Sequence, residues 1–444
     1  MRSTALEIAR RLQTAGFTAY WVGGCVRDTL LGKEPHDFDL ATNATPDQIE
    51  ILFHRTVPVG RKFGVLIVIE AGEQFQVATF RAEGDYQDGR RPGQVTFCDA
   101  QADACRRDFT VNGLFFDPVQ EQLHDWVGGE ADLRAKTLRT IGPPEQRFAE
   151  DHLRLLRAVR FAAQLDFQIE SNTLAAVRTN APNISRVSAE RVRDELVKLF
   201  CPPHAARGLE LLQEGGLLAP VLPEIAATIS CDQSPDFHPE GTVFNHLRKI
   251  LALLPADAHS SLPWAVLLHD VAKPATATRD PGTGQIHFYG HEKVGAVMAE
   301  ALLKRLKFPR KQTEEIVACV LQHMQFKDVQ HMRKATLRRL LLRPTFPLEL
   351  ELHRLDCLGS HGRLDHYDFL VAAAAQLHAQ PALRPPLLTG GDLIALGMKP
   401  GPQLGVLLAE IREQQLQDEL TTADEARAWA QERLRAVKAQ DSHP

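Results

Sequence analysis

Seven cysteines are scattered along 444 residues with no C-x-x-C pair among them. An odd, unpaired set points away from a disulfide framework and from a thiolate metal knuckle, and toward reduced thiols in the cytoplasm. Long apolar runs are also missing. The best stretches, such as residues 264–268, are far too short to span a bilayer, so no membrane is expected. The first residues, MRSTALEIARRLQTAGF, lack a long apolar core and read as an amphipathic helix, not as a leader. No repeat of 20–50 residues recurs, which excludes a solenoid. Nor is there an excess of positive charge. A net charge of −5 argues against wholesale nucleic-acid binding but leaves room for a local basic groove.

What is present is an ordinary globular composition, 44% hydrophobic and 24% charged, in a chain long enough for two to four domains. Up to about residue 140 the texture is α/β, with strands expected at 65–70, 74–80 and 95–97. The polar segment RAEGDYQDGRRP (81–92) reads as a loop. Beyond Pro143-Pro144 it turns helical, with periodic segments at 148–165, 189–200 and 205–218. Pro- and Gly-rich seams follow near 231–241 and 380–391. The expected organisation is α+β: a head at 1–140, a helical neck at 141–230, a helical body at 231–380 and a helical tail at 381–444.

The segment YWVGGCVRDTLLGKEPHDFDLAT (20–42) carries the first chemistry. A short strand breaks into Gly23-Gly24, a short helix follows, and then come Asp37 and Asp39. Glycines let the backbone approach a triphosphate, and the helix start points N–H groups at the anion. Residues two apart on a strand share a face, so Asp37 and Asp39 can offer oxygens to one Mg²⁺. This is the build of a metal-dependent nucleotidyl transferase of the polymerase-β type. Arg106-Arg107-Asp108 then supplies guanidinium donors for phosphate and a carboxylate for a ribose hydroxyl.

On a helix, RFAEDHLRLLRAVRF (147–161) places Asp151, Arg154, Arg157 and Arg160 three apart in a drifting polar stripe. Leu155, Val159 and Ala162 turn toward a core. A carboxylate only accepts hydrogen bonds and a guanidinium only donates them. Cytosine and adenine each show an amino donor beside a ring-nitrogen acceptor, which an adjacent Asp and Arg match. Guanine and uracil present the reverse order. Such a site can reject the mismatch by roughly 10⁴ or more, without a template.

GGCVRDTLLGKEPHDFDLAT, RRDFTVNG, DLRAKTLRTIGPPEQRFAEDHLRLLRAVRFA and ERVRDEL together resemble the successive motifs of the class II tRNA nucleotidyltransferases. These are the bacterial CCA-adding enzymes, grouped with the bacterial poly(A) polymerases. The resemblance implies a head that holds Mg²⁺ on Asp37 and Asp39 and a neck that reads the base with Asp151 and Arg154. It also implies body and tail domains that grip tRNA, with CTP and ATP as substrates. Nucleotide contacts are expected at Gly23, Gly24, Arg27, Arg107, Asp108, Arg157 and Arg160. RAEGDYQDGRRP falls where the family has a loop thought to assist the switch from C to A, which favours complete C-C-A addition. A poly(A) polymerase, or an enzyme adding only CC or only A, stands as the alternative. Gln76 stands where many relatives have an acidic residue, which leaves a third metal carboxylate in question.

A second constellation comprises His246, His269-Asp270, His291, His323 and Asp356. A buried neighbouring His and Asp need partners, which a metal supplies; imidazole with carboxylate suits Mn, Ni, Fe or Zn. The set resembles the HD phosphohydrolase superfamily, with H…HD…D intact and two further histidines. The implied chemistry is metal-assisted hydrolysis of phosphate esters. A phosphohydrolase whose polymerase half only binds RNA is the remaining reading.

Overall fold

The computed structural model describes residues 1–83, 95–234, 238–379 and 385–440. The chain divides into two compact units. One comprises residues 1–230 with 254–257 and 301–309; the other comprises residues 231–253, 258–300 and 310–444.

The first unit opens with α1 (Arg2–Thr14), whose Ala5, Ile8, Ala9 and Leu12 recur at helical spacing and are fully buried. It packs on a seven-stranded sheet of β1 (Ala19–Val22), β2 (Asp39–Thr42), β3 (Thr56–Gly60), β4 (Val65–Glu70), β5 (Glu73–Thr79), β6 (Phe115–Asp117) and β7 (Gln122–His124). The spatial order is β3-β4-β5-β2-β1-β6-β7, so β2 is the central strand. It pairs antiparallel with β1 and parallel with β5, which makes the sheet mixed. Strands β4 and β5 alternate buried Leu66, Val68, Phe75 and Val77 with more exposed neighbours, the mark of a sheet covered on one face. The loop RAEGDYQDGRRP lies outside the described residues from 84 onward.

Helices follow the sheet. α2 (Gly24–Leu30) leaves the end of β1, and the neck contains α3 (Pro144–Glu150), α4 (Arg154–Leu165) and α5 (Ala189–Leu199). Leu155, Val159 and Ala162 are fully buried, as their spacing requires, and α4 packs against α5. Asp151 does not continue a helix. Its φ of −142° and ψ of 106° are extended, so α3 stops there and α4 begins at Arg154. Asp151 Oδ1 accepts from Leu153 N at 3.0 Å and its carbonyl accepts from Arg154 N at 3.0 Å. The expected single helix across 147–161 is therefore two, joined by an Asx turn at Asp151.

The second unit is helical apart from a short antiparallel pairing of residues 278–279 with 286–287. Its core is carried by α6 (Val243–Leu251), α7 (Leu262–Leu268), α8 (His291–Arg305) and α9 (Phe346–Gly359). Every residue of α7 is buried, which its apolar run LPWAVLL dictates. Near the C-terminus Leu388, Leu393, Leu407, Ile411, Leu420, Ala426 and Ala430 form a separate small core. Among the described residues no helix is long and apolar enough to cross a membrane.

Candidate active sites

The head site starts from the turn after β1. Gly23 has φ of +72°, and a Cβ there would stand 3.2 Å from Arg107 Nη1. Glycine thus satisfies both the backbone and the guanidinium above it. Val22 pairs with Asp39 across β1 and β2, which sets the glycine turn beside the start of the central strand. Asp37 lies two residues earlier, exposed and just ahead of the strand. Neither carboxylate has an ion-pair partner among the described residues. Burial and the charge of Asp37 raise the Asp39 carboxyl to about 6, against the opposing pull of Arg107. Two close carboxylates, one of them destabilised as an anion, form a donor set that a hard cation relieves.

Around them opens a cleft of about 930 Å³, whose lining includes Gly23, Gly24, Arg27, Asp37, Asp39, Arg107, Asp108, Asp151, Arg154 and Arg157. Its cationic wall is fixed by hydrogen bonds. Arg27 Nη1 donates to Asn112 Oδ1 at 2.7 Å, and Asn112 Nδ2 donates to Asp108 Oδ1 at 3.1 Å. Arg157 donates twice to Asp108 Oδ2, at 2.8 and 2.5 Å. Arg107 Nη2 donates to the buried Asp103 at 3.0 Å, and Arg154 Nη1 to Glu150 at 2.5 Å. Arg191 Nη2 holds Asp151 Oδ2 at 2.7 Å. With both oxygens so engaged, Asp108 braces the arginines as well as lining the cleft.

Arg160 is not among the residues lining the cleft. Its Nε donates to Glu195 Oε2 at 2.5 Å in a buried pair. Steps of three residues drift by 60° on a helix, so the second step from Arg154 carries Arg160 about 120° round the barrel of α4. Asn112, Asp103, Glu150 and Arg191 are functional neighbours that the motif reading passes over. Asp103 and Glu150, each four residues before its arginine at helical spacing, leave a local signal.

The second site lies wholly within the second unit. Thr242 caps α6, its Oγ1 accepting from Asn245 N at 3.3 Å, and the fully buried His246 follows in the first turns. His269 caps the C-terminal end of α7, so the His-Asp pair sits at a helix end and not within the helix. His291 opens α8, His323 follows a helix that ends at Gln322, and Asp356 comes from α9. All six residues converge. His246 Nε2 lies 3.0 Å from Asp356 Oδ1, and His269 Nε2 3.3 Å from Asp270 Oδ2. His291 Nε2 lies 3.4 Å from Asp270 Oδ1 and 3.1 Å from His323 Nε2.

The donor atoms form two groups of three, His246 with His269 and Asp356, and Asp270 with His291 and His323, and a third group, His238 with Glu240 and His246, adjoins them through His246. Three of the imidazoles are oriented alike. Nδ1 of His269, His291 and His323 meets the carbonyls of Val266, Phe288 and Val320 at 2.8, 2.7 and 2.7 Å. A carbonyl only accepts, so Nδ1 carries a proton in each of these rings and Nε2 is turned inward. His269 Nε2 is buried without a hydrogen bond, and burial lowers His323 to about 4, which keeps its ring neutral. Imidazole nitrogens aimed at the carboxylates of Asp270 and Asp356 fit a transition-metal centre.

Comparison with known proteins finds matches in both units. Residues 19–139 match the model of the poly A polymerase head domain, 166–229 that of the probable RNA and SrmB-binding site of polymerase A, and 242–358 the HD domain. A CCA-adding enzyme of Streptococcus pyogenes serotype M2 is 33% identical over 436 residues, 95% of each chain. One from Geobacillus thermodenitrificans is 44% identical over 214 residues, 48% of this chain and 53% of the relative. The crystal structure of the Bacillus stearothermophilus CCA-adding enzyme in complex with CTP superposes with a TM-score of 0.74 at 28% identity, covering 99% of this chain and 98% of that one. The Thermotoga maritima CCA-adding enzyme complexed with tRNA shares the fold, with a TM-score of 0.60 at 18% identity over 97% and 95% of the two chains. By its end-to-end similarity to the streptococcal protein, the chain belongs to the CCA-adding enzyme family.

Proposed function

We propose that this protein adds C, C and A in turn to the 3′ end of tRNA, drawing on CTP and ATP and using no nucleic-acid template. The observation that carries this is the single cleft in which the carboxylates of Asp37 and Asp39, the Gly23 turn and the arginines of head and neck meet. Its chain matches CCA-adding enzymes over nearly its whole length. In each cycle the RNA 3′-oxygen attacks the α-phosphorus of the nucleotide, a P–O bond forms, and pyrophosphate leaves with the electrons of the α–β bridge. Asp37 and Asp39 would hold Mg²⁺, which would supply charge neutralisation at the reacting phosphate. Gly23 and Gly24 admit the triphosphate, and Arg27, Arg107 and Arg157 neutralise it. Asp151 and Arg154 accept from and donate to the base, which selects C and A over G and U. Arg191 holds Asp151 in place for that reading.

In the second unit, His246, His269, Asp270, His291, His323 and Asp356 would hold a transition metal, from Mn, Ni, Fe or Zn. Such ions activate water for hydrolysis of phosphate esters, including 2′,3′-cyclic phosphates at damaged RNA ends. Three imidazoles oriented by backbone carbonyls toward two carboxylates support this reading. A cytoplasmic setting suits both activities and the free thiols at Cys25, Cys98, Cys105, Cys201, Cys231, Cys319 and Cys357. The polymerase reading is tested by extending a tRNA that lacks its 3′ CCA, and the hydrolytic one by hydrolysis of 2′,3′-cyclic AMP.

A further inference from the structure

One histidine of the second site is held differently from the others. Where His269, His291 and His323 direct Nδ1 at backbone carbonyls, His246 directs Nδ1 at the carboxylate of Glu240, with 2.6 Å to Oε1. The same oxygen lies 3.0 Å from His238 Nδ1. The Glu240 side chain is only 8% exposed, and its Oε2 has no hydrogen-bond partner among the described residues. The loop is tied down by Asn245 Nδ2, which donates to the Glu240 carbonyl at 3.2 Å. Burying a carboxylate with one oxygen unpaired is costly, so the 2.6 Å contact is a built feature and not a surface accident.

A carbonyl partner fixes the tautomer of an imidazole. A carboxylate fixes it and also pushes electron density toward Nε2, which strengthens that nitrogen as a metal ligand. Apart from the flanking group of His238, Glu240 and His246, the donor atoms form two groups of three, matched in size. Building on the metal-site reading above, we infer that Glu240 is a positioning residue that makes the two half-sites unequal. The half-site of His246, His269 and Asp356 binds its ion more tightly than that of Asp270, His291 and His323. The two half-sites accordingly fill in order.

The test is direct metal binding, read without activity. Metal-free full-length protein is titrated with Ni²⁺ against a coloured chelator, with excess Mg²⁺ present to fill the head carboxylates. Wild type shows two Ni²⁺ affinities at least tenfold apart. Glu240→Ala weakens the tighter one by about 10- to 100-fold and leaves the weaker one in place. Glu240→Gln, which keeps an acceptor oxygen and nearly the same volume, falls between the two. His323→Ala removes the weaker affinity and spares the tighter. Identical affinities in wild type and both Glu240 variants overturn the inference while leaving the metal site intact. Failure of wild type to take up Ni²⁺ at all overturns the metal-site reading and this inference with it.

Discussion

Asp108, from the head, accepts two hydrogen bonds on a single carboxylate oxygen from Arg157, on the second helix of the neck, at 2.8 and 2.5 Å. Forty-nine residues separate them in sequence. Burial would raise the Asp108 carboxyl, but Arg157 and Asn112 prevail and hold it down to about 2. The ion pair therefore shapes the nucleotide cleft and joins sheet to helices at the same point.

Removing Arg157 leaves a buried, uncompensated carboxylate. Arg157→Ala is expected to cost the first unit about 3 kcal/mol and to lower its thermal midpoint by roughly 5–10 °C. The pH dependence has a definite sign. A folded pKa below the unfolded value stabilises the protein above that unfolded value, near 4, and the benefit is lost as pH falls toward 2. Its size is about 2 kcal/mol. Urea unfolding of wild type and Asp108→Asn between pH 7 and pH 3 checks this, and equal acid sensitivity in the two proteins would refute it.

Asp37→Ala and Asp39→Ala should each reduce nucleotide addition at least 10³-fold, because each removes a ligand from the cation that neutralises the reacting phosphate. Binding of tRNA, followed by gel shift, should stay within about twofold of wild type, a margin of only ~0.4 kcal/mol. Loss of tRNA binding in step with activity would contradict a role confined to the metal.

Base selection should depend on Asp151 more than on the catalytic carboxylates. Asp151→Ala is expected to lower discrimination of CTP over UTP by about 100-fold or more. Arg191→Ala, which frees Asp151 Oδ2 from its 2.7 Å partner, should act in the same direction, by about tenfold, or ~1.4 kcal/mol. Single-nucleotide incorporation with each of the four triphosphates reads both effects. Unchanged rejection of UTP and GTP by Asp151→Ala would assign base reading to other groups.

The two activities should separate cleanly. His269→Ala and Asp270→Ala are expected to abolish hydrolysis of 2′,3′-cyclic AMP while nucleotide addition proceeds at the wild-type rate. Persistence of hydrolysis in both variants would show that these residues do not hold the working metal.

Much of this was legible in the sequence because it is local. The Gly23 turn, the Asp37/Asp39 pair and the apolar face of α4 follow from spacing alone, and the HD residues stood out as a set before their convergence was seen. What spacing hid was the break at Asp151, where a helix-period reading ran straight through. The signal was present, since aspartate caps the backbone N–H groups ahead of a helix as readily as it joins a charged stripe. Arg160 was misplaced for a related reason, as its buried partner Glu195 lies 35 residues away and no periodicity announces it. Glu240 is only six residues from His246, but it sits in a loop, where spacing carries no direction.

The central claim is ordered, untemplated addition of C, C and A, and extension of a tRNA transcript lacking its 3′ CCA tests it most directly. Purified protein with Mg²⁺ is given CTP alone, ATP alone and both, and products are resolved to the nucleotide. Growth by two residues with CTP and by three with both is the predicted result. Arrest at two with both nucleotides, a long A ladder made without CTP, or no extension at all would contradict it.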